Sequence, residues 1–136
     1  MRAHKLIEHP SDVGIEAHGQ ALAEAFEEAA DGMMEIIAER SAVQSDVERT
    51  IELAADDIEQ LLVKWLSELL YLYDGEHFLP SVIRIDELTE TRLRATIAGE
   101  MFDAARHVPL LDIKAVTYHQ LNVDRERHIV RVFLDV

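Results

Sequence analysis

The stretch over residues 56–75, "DDIEQLLVKWLSELLYLYDG", constrains this chain more than any other. Ile58, Leu61, Leu62, Trp65, Leu69 and Leu72 recur at helical spacing and make an apolar face too wide to leave in water. Asp56 or Asp57 is placed to cap the first turn, Glu59 adds charge that suits the helix dipole, and Asp74-Gly75 reads as the stop. A helix of this kind needs another layer over it. The rest of the chain therefore has to supply that layer.

Strands are what the flanking sequence offers. Residues 5–9 and 13–18 alternate around the turn formers "PSD", and residues 48–55 alternate again. Strands are also predicted near 81–89 and 91–102, with a polar turn around 89–91, and near 112–123 and 128–135, flanking "DRER". Between the last two pairs, "DAARHVP" reads as an irregular loop or a single helical turn. A second amphipathic helix is predicted over 20–38, with Leu22, Phe26, Ala29, Met33, Ile36 and Ile37 on its apolar side. Glu24, Glu27, Glu28 and Asp31 fall mostly off that side and are expected to form a solvated surface. The order ββ-α-β-α-ββ-ββ, with no Gly-rich phosphate loop, predicts an α+β fold: two helices packed on one face of a mainly antiparallel sheet, in a single domain over 1–136.

Charge narrows the function. The chain has 27 acidic and 13 basic residues, a formal net charge of −14, and such a field repels a phosphate backbone. Stable direct binding to nucleic acid is not expected. Cation capture, or docking on a basic protein surface, fits the charge, and so does plain solubility. No cysteine is present, which excludes disulfides, thiolate zinc sites and a cysteine nucleophile and suits the reducing cytoplasm. No segment approaches the roughly 20 apolar residues of a membrane span, so a soluble, unexported protein is expected.

The candidate chemistry is sparse. Asp12 stands in the corner between the first two strands, and Asp135 and Val136 end the last one. If those strands are neighbours, their oxygens could share a hard cation, although Asp12 reads equally as a turn former and Asp135 as ordinary charge at a strand end. None of the seven histidines forms an HExxH or similar pair, and no GxSxG is present. An independent enzyme is not supported. The strand "IKAVTYHQL" carries Lys114, Thr117, Tyr118 and His119 among few apolar positions, more functionality than a plain sheet needs. A structural histidine bonded to a loop is the simpler reading of His119, and of His107 beside Arg106.

Taken together, "EHPSDVGIEAHG", "AFEEAADGM", "LLVKWLSELLYLYD", "GEMFDAARHVPLLDIKAVTYHQL" and the closing "VFLDV" resemble the archease family, in order and over nearly the whole chain. The block over 99–121 is the most specific part. In one place the chain departs from the family pattern: Pro10 and Ser11 precede Asp12 where threonine-alanine is usual. The resemblance implies a non-enzymatic helper of the GTP-dependent RNA ligase that joins 3′-phosphate or cyclic-phosphate ends to 5′-hydroxyl ends, as in tRNA splicing. Such helpers promote guanylylation of the ligase histidine and its multiple turnover. The resemblance also implies a divalent metal ion, calcium first and magnesium or manganese as alternatives, held by Asp12 and Asp135 with a backbone or terminal oxygen of Val136. Lys114 and His119, with Arg106 and His107, then become candidates for contacting the ligase or its nucleotide. The alternative function for the family is a chaperone-like modulator of an RNA methyltransferase.

Overall fold

The computed structural model describes residues 2–8 and 12–136. Pro10 and Ser11 of the expected corner lie outside them. Two helices and nine strands alternate along the described chain: β1 (Ala3–Glu8), β2 (Asp12–His18), α1 (Leu22–Ile37), β3 (Ala38–Glu39), β4 (Val47–Ala54), α2 (Ile58–Glu76), β5 (Phe78–Leu88), β6 (Arg92–Met101), β7 (Val108–Pro109), β8 (Ala115–Asp124) and β9 (Ile129–Asp135). The α+β class and the antiparallel pairing hold throughout. The strands divide between two main sheets, ordered β1-β2-β9-β8 and β4-β6-β5, with a small β3-β7 ribbon beside them. The ribbon has no signal in the sequence, because two residues are too few to show a period.

Both helices serve both sheets. Helix α1 packs on β1, β2 and β9 of the larger sheet and on β5 of the smaller, and α2 packs on β8 and on β4, β5 and β6. One continuous core results, in which Trp65, Phe26, Phe78, Leu61, Leu62 and Leu69 are fully buried. Trp65 Nε1 donates to the Phe26 carbonyl at 3.0 Å, which ties α2 to α1 and satisfies a polar group that would otherwise be costly in the core.

Local chemistry explains the boundaries. Asp57 is the N-cap of α2 and accepts from the Gln60 amide at 2.7 Å. The helix does not stop at Gly75. It runs on to Glu76 and ends at His77, which takes the left-handed conformation (φ 58°) and donates its amide to the Leu72 and Tyr73 carbonyls. Gly75 lies inside the helix with the Tyr71 ring against it, where an added Cβ would come within 2.9 Å. The turn between β5 and β6 is the expected one: Thr89 Oγ1 accepts from the amides of Thr91 and Arg92. Asp124 does the same for Glu126 and Arg127 between β8 and β9.

The acidic side of α1 corrects the sequence reading. Glu27 is buried, accepts from the Ile85 amide at 2.6 Å and pairs with Arg2 at 2.9 Å. Glu28 also pairs with Arg2 and bonds His4, and Asp31 pairs with Arg40 at 3.4 Å. Periodicity places these carboxylates on the polar side of the helix, but β1 and β5 cover that side, so they are consumed in ion pairs and a strand bond instead of facing water. Burial pushes the Asp31 carboxyl up, against the pull of Arg40.

Candidate functional site

Register in the larger sheet decides which side chains share a face. Val13, Ile15 and Ala17 of β2 stand opposite Leu134, Val132 and Val130 of β9 and point into the core. The other parity forms the outer face, whose first three rows from the Asp12 end bear on the site. The first row is Asp12, Asp135 and Ala115, the second is Gly14, Phe133 and Thr117, and the third is Glu16, Arg131 and Asn122.

The first row brings the two expected acids together. Asp12 and Asp135 are direct cross-strand partners. Asp12 is half-buried with its Oδ1 shielded from solvent, and Asp135 is exposed. Two carboxylates at one such position repel one another. Ala115 completes the row with only a methyl group, so the corner is open on that side. Val136 follows directly, and the Lys114 amide donates to the Asp135 carbonyl at 2.8 Å, which fixes the Lys114 backbone at the same corner. This donor set is made of oxygens and suits a hard divalent cation such as calcium or magnesium. Among the described residues no group of three or more His, Asp or Glu side chains is poised to cage a metal ion. Among the described residues, a cation here would rest on the two carboxylates and an oxygen of Val136.

The second row answers why the strand around His119 is so richly furnished. Between Thr117 and Asn122, residues 118–121 of β8 stand opposite the single residue Val132 of β9, so the ladder breaks there. Gln120 takes φ 52° within the bulge. Thr117 Oγ1 donates to the Phe133 carbonyl at 3.0 Å and accepts from the His119 amide at 3.3 Å. The His119 ring meets the Phe133 ring edge-on, with centroids 6.1 Å apart. Phe133 is buried on the outer face. It fits because Gly14 opposite has no side chain: a Cβ there would approach the Phe133 ring to 2.7 Å. His119, Phe133 and the acidic pair thus lie on one face, with rows about 7 Å apart. Alternation along β8 could not assign His119 a face, because the bulge interrupts the period.

In the third row, Glu16 pairs with Arg131 at 2.7 Å and Lys5 at 3.5 Å. The hydrogen bond from Arg131 holds the Glu16 carboxyl below its ordinary range, against some burial.

Arg106 and His107 belong to a second cluster, centred on Glu100. Arg106 pairs with Glu100 and, at 3.5 Å, with Asp103. His107 is buried; its Nδ1 accepts from the Asp103 amide at 2.8 Å, leaving Nε2 to donate to Glu100 at 3.3 Å. Glu100 also accepts from the Gln44 amide at 2.6 Å. The Arg106 bond, with that from Gln44, holds the Glu100 carboxyl down at about 2. Asp103 caps the turn through a bond from the Ala105 amide, as its position before "AARH" suggests. The side chains of this cluster bond one another and the loop over 40–46.

The fold and the outer-face corner together define a small α+β protein with an acidic pair at one end of a four-stranded sheet. Comparison with known proteins agrees: the archease protein family matches residues 4–136, and the chain belongs to that family. Protein archease of Pyrococcus furiosus is 37% identical over 128 residues, covering 92% of this chain and 90% of the relative. That of Sulfolobus acidocaldarius is 32% identical over 139 residues and covers both chains completely. The solution structure of Methanobacterium thermoautotrophicum protein 1598 superposes with a TM-score of 0.79 at 32% identity, covering 98% of each chain. The crystal structure of an archease, possible chaperone, from Thermotoga maritima shares the fold, with a TM-score of 0.65 at 22% identity over 97% of this chain and 96% of that one. The Pyrococcus, Sulfolobus and Thermotoga relatives are named as archeases or as a possible chaperone, and none of these three as an enzyme. No described helix is long and apolar enough to cross a membrane.

Proposed function

We propose that this chain is a non-enzymatic activator of the GTP-dependent RNA ligase that seals 3′-phosphate or cyclic-phosphate ends to 5′-hydroxyl ends in tRNA splicing. It promotes guanylylation of the ligase and multiple turnover, and it acts in the cytoplasm. The observation that carries this reading is the direct pairing of Asp12 with Asp135 in a chain that belongs to the archease family over residues 4–136.

The roles follow from the corner. Asp12 and Asp135 hold a divalent cation, calcium first and magnesium or manganese as alternatives, with an oxygen of Val136. A bound cation supplies positive charge against phosphate oxygens. Lys114, exposed and fixed beside Asp135, offers an ammonium to the same anion. His119, held over Phe133, borders the corner and contacts the ligase or its nucleotide. Arg106 and His107 act indirectly, by fixing the loop that leads to Lys114. The negative charge of the whole chain favours approach to the basic, RNA-binding side of the ligase.

Purified protein is mixed with ligase, GTP and manganese, and ligase-GMP is followed in time. Faster formation is the expected result, and no stimulation with manganese, magnesium or calcium would remove the proposal. The description of the Thermotoga maritima relative as a possible chaperone favours a second reading, a chaperone-like modulator of an RNA methyltransferase. On that reading the chain changes the aggregation or assembly of the methyltransferase and leaves ligase guanylylation unaltered.

A further inference from the structure

Residues 108–111 are Val, Pro, Leu and Leu, and all four are exposed: Val108 53%, Leu110 60% and Leu111 43%, with Pro109 also open. Four consecutive apolar residues facing water are a fault in a fold unless something uses them. They are not a loose loop. Val108 and Pro109 pair with Glu39 and Ala38 in the small ribbon, and the Leu110 and Leu111 amides donate to the Ile37 and Ile36 carbonyls at the end of α1. Ile113 is buried, and the Lys114 amide is bonded to Asp135. The segment is tied down along its backbone, so ordering it on binding costs little.

Its surroundings are acidic on both sides. Leu110 lines a surface depression with Glu35 and Glu39; Arg40 of that depression is turned to Asp31 and to the Pro80 carbonyl. On the other side Asp112 lies near enough to Asp74 that its charge, after burial, helps push the Asp74 carboxyl up. Lys114 is the exposed basic residue that follows.

We infer that residues 108–111 form an apolar docking patch for a partner protein that presents an apolar surface within a basic rim. The acidic rim selects that partner by charge, and the aliphatic side chains supply contact area. A second copy of this chain is disfavoured, because it would bring two acidic rims and two chains of net charge −14 together. Leu111 is three residues from Lys114, so their Cα atoms are at most about 11 Å apart. A partner seated on the patch is therefore held close to the Asp12–Asp135 corner. Resting on the function proposed above, the partner is the RNA ligase, and the patch sets affinity while the corner sets stimulation.

The test separates those two quantities. Leu110→Ser/Leu111→Ser, with Val108→Thr as a milder second variant, is titrated against the purified ligase with GTP and manganese, and fold is checked by melting. The expected result is an unchanged melting temperature, a half-saturating concentration raised roughly tenfold or more, and wild-type stimulation once saturated. Wild-type half-saturation in both folded variants overturns the docking assignment alone. Sedimentation showing a wild-type dimer that the variants lose overturns it in favour of a second copy. A wild-type chain that neither binds nor stimulates the ligase removes the activator reading first, and this assignment with it.

Discussion

Asp12, the first residue of β2, and Asp135, the last of β9, face one another as direct partners at the end of the β2–β9 ladder. The position places like charges together at one end of the sheet, a repulsion that a cation held between them would relieve.

Asp12→Ala is expected to keep the fold, with metal-free stability within about 0.5 kcal/mol of wild type, because the lost interactions lie at a strand end and the lost repulsion offsets them. Calcium or magnesium should raise the wild-type melting temperature, as any ligand that prefers the native state must, and should raise that of the variant less. An equal rise in both proteins would move cation binding away from this corner.

Trp65 is fully buried and bonded to the Phe26 carbonyl. Trp65→Ala should cost roughly 3–5 kcal/mol in denaturant unfolding, mainly from the cavity it leaves between α1 and α2. Trp65→Phe keeps much of the ring and should cost less. A folded Trp65→Ala variant of unchanged stability would contradict the packing described above.

His4 has Glu28 2.9 Å from Nδ1 and Glu35 2.7 Å from Nε2, and Glu28 is shared with Arg2. Burial alone would lower the pKa of His4, but the hydrogen bonds its ring donates to the two carboxylates outweigh it and raise the value. The folded protein therefore holds this proton at a pH where the unfolded chain has released it. The contribution is complete below the unfolded value of about 6.5 and is lost as pH rises through the higher folded value. Wild type should lose stability across that interval and His4→Gln should not; parallel pH profiles would show that the pair of carboxylates does not hold the proton.

Glu100 behaves in the opposite sense. Its folded value of about 2 lies below the unfolded value of about 4.3, so its contribution is complete above the latter and is lost as pH falls toward the former. Glu100→Gln should be less stable than wild type at neutral pH and should lose less on acidification. If acid titration affects the two proteins equally, the bonds from Arg106 and Gln44 are not what depresses the carboxyl.

The sequence by itself determined the elements that carry their own period or cap. Helix α2 was legible from its apolar spacing and a cap at Asp56 or Asp57, which the structure places at Asp57, Trp65 and Leu69 as core, and the turns at Thr89 and Asp124 from their side-chain chemistry. Asp12, Asp135, Lys114 and His119 stood out as residue types, and the resemblance placed them in a family. Tertiary structure decided the rest, because it depends on pairing between segments far apart in the chain. Only the β2–β9 register puts Asp12 opposite Asp135, and only the bulge over 118–121 lays His119 across Phe133. The division of the strands into two sheets, and the burial of Glu27 beneath Arg2 and β5, were equally beyond reach of a local reading. A residue's polarity and spacing say which face of its own element it occupies. What covers that face is set by the other elements.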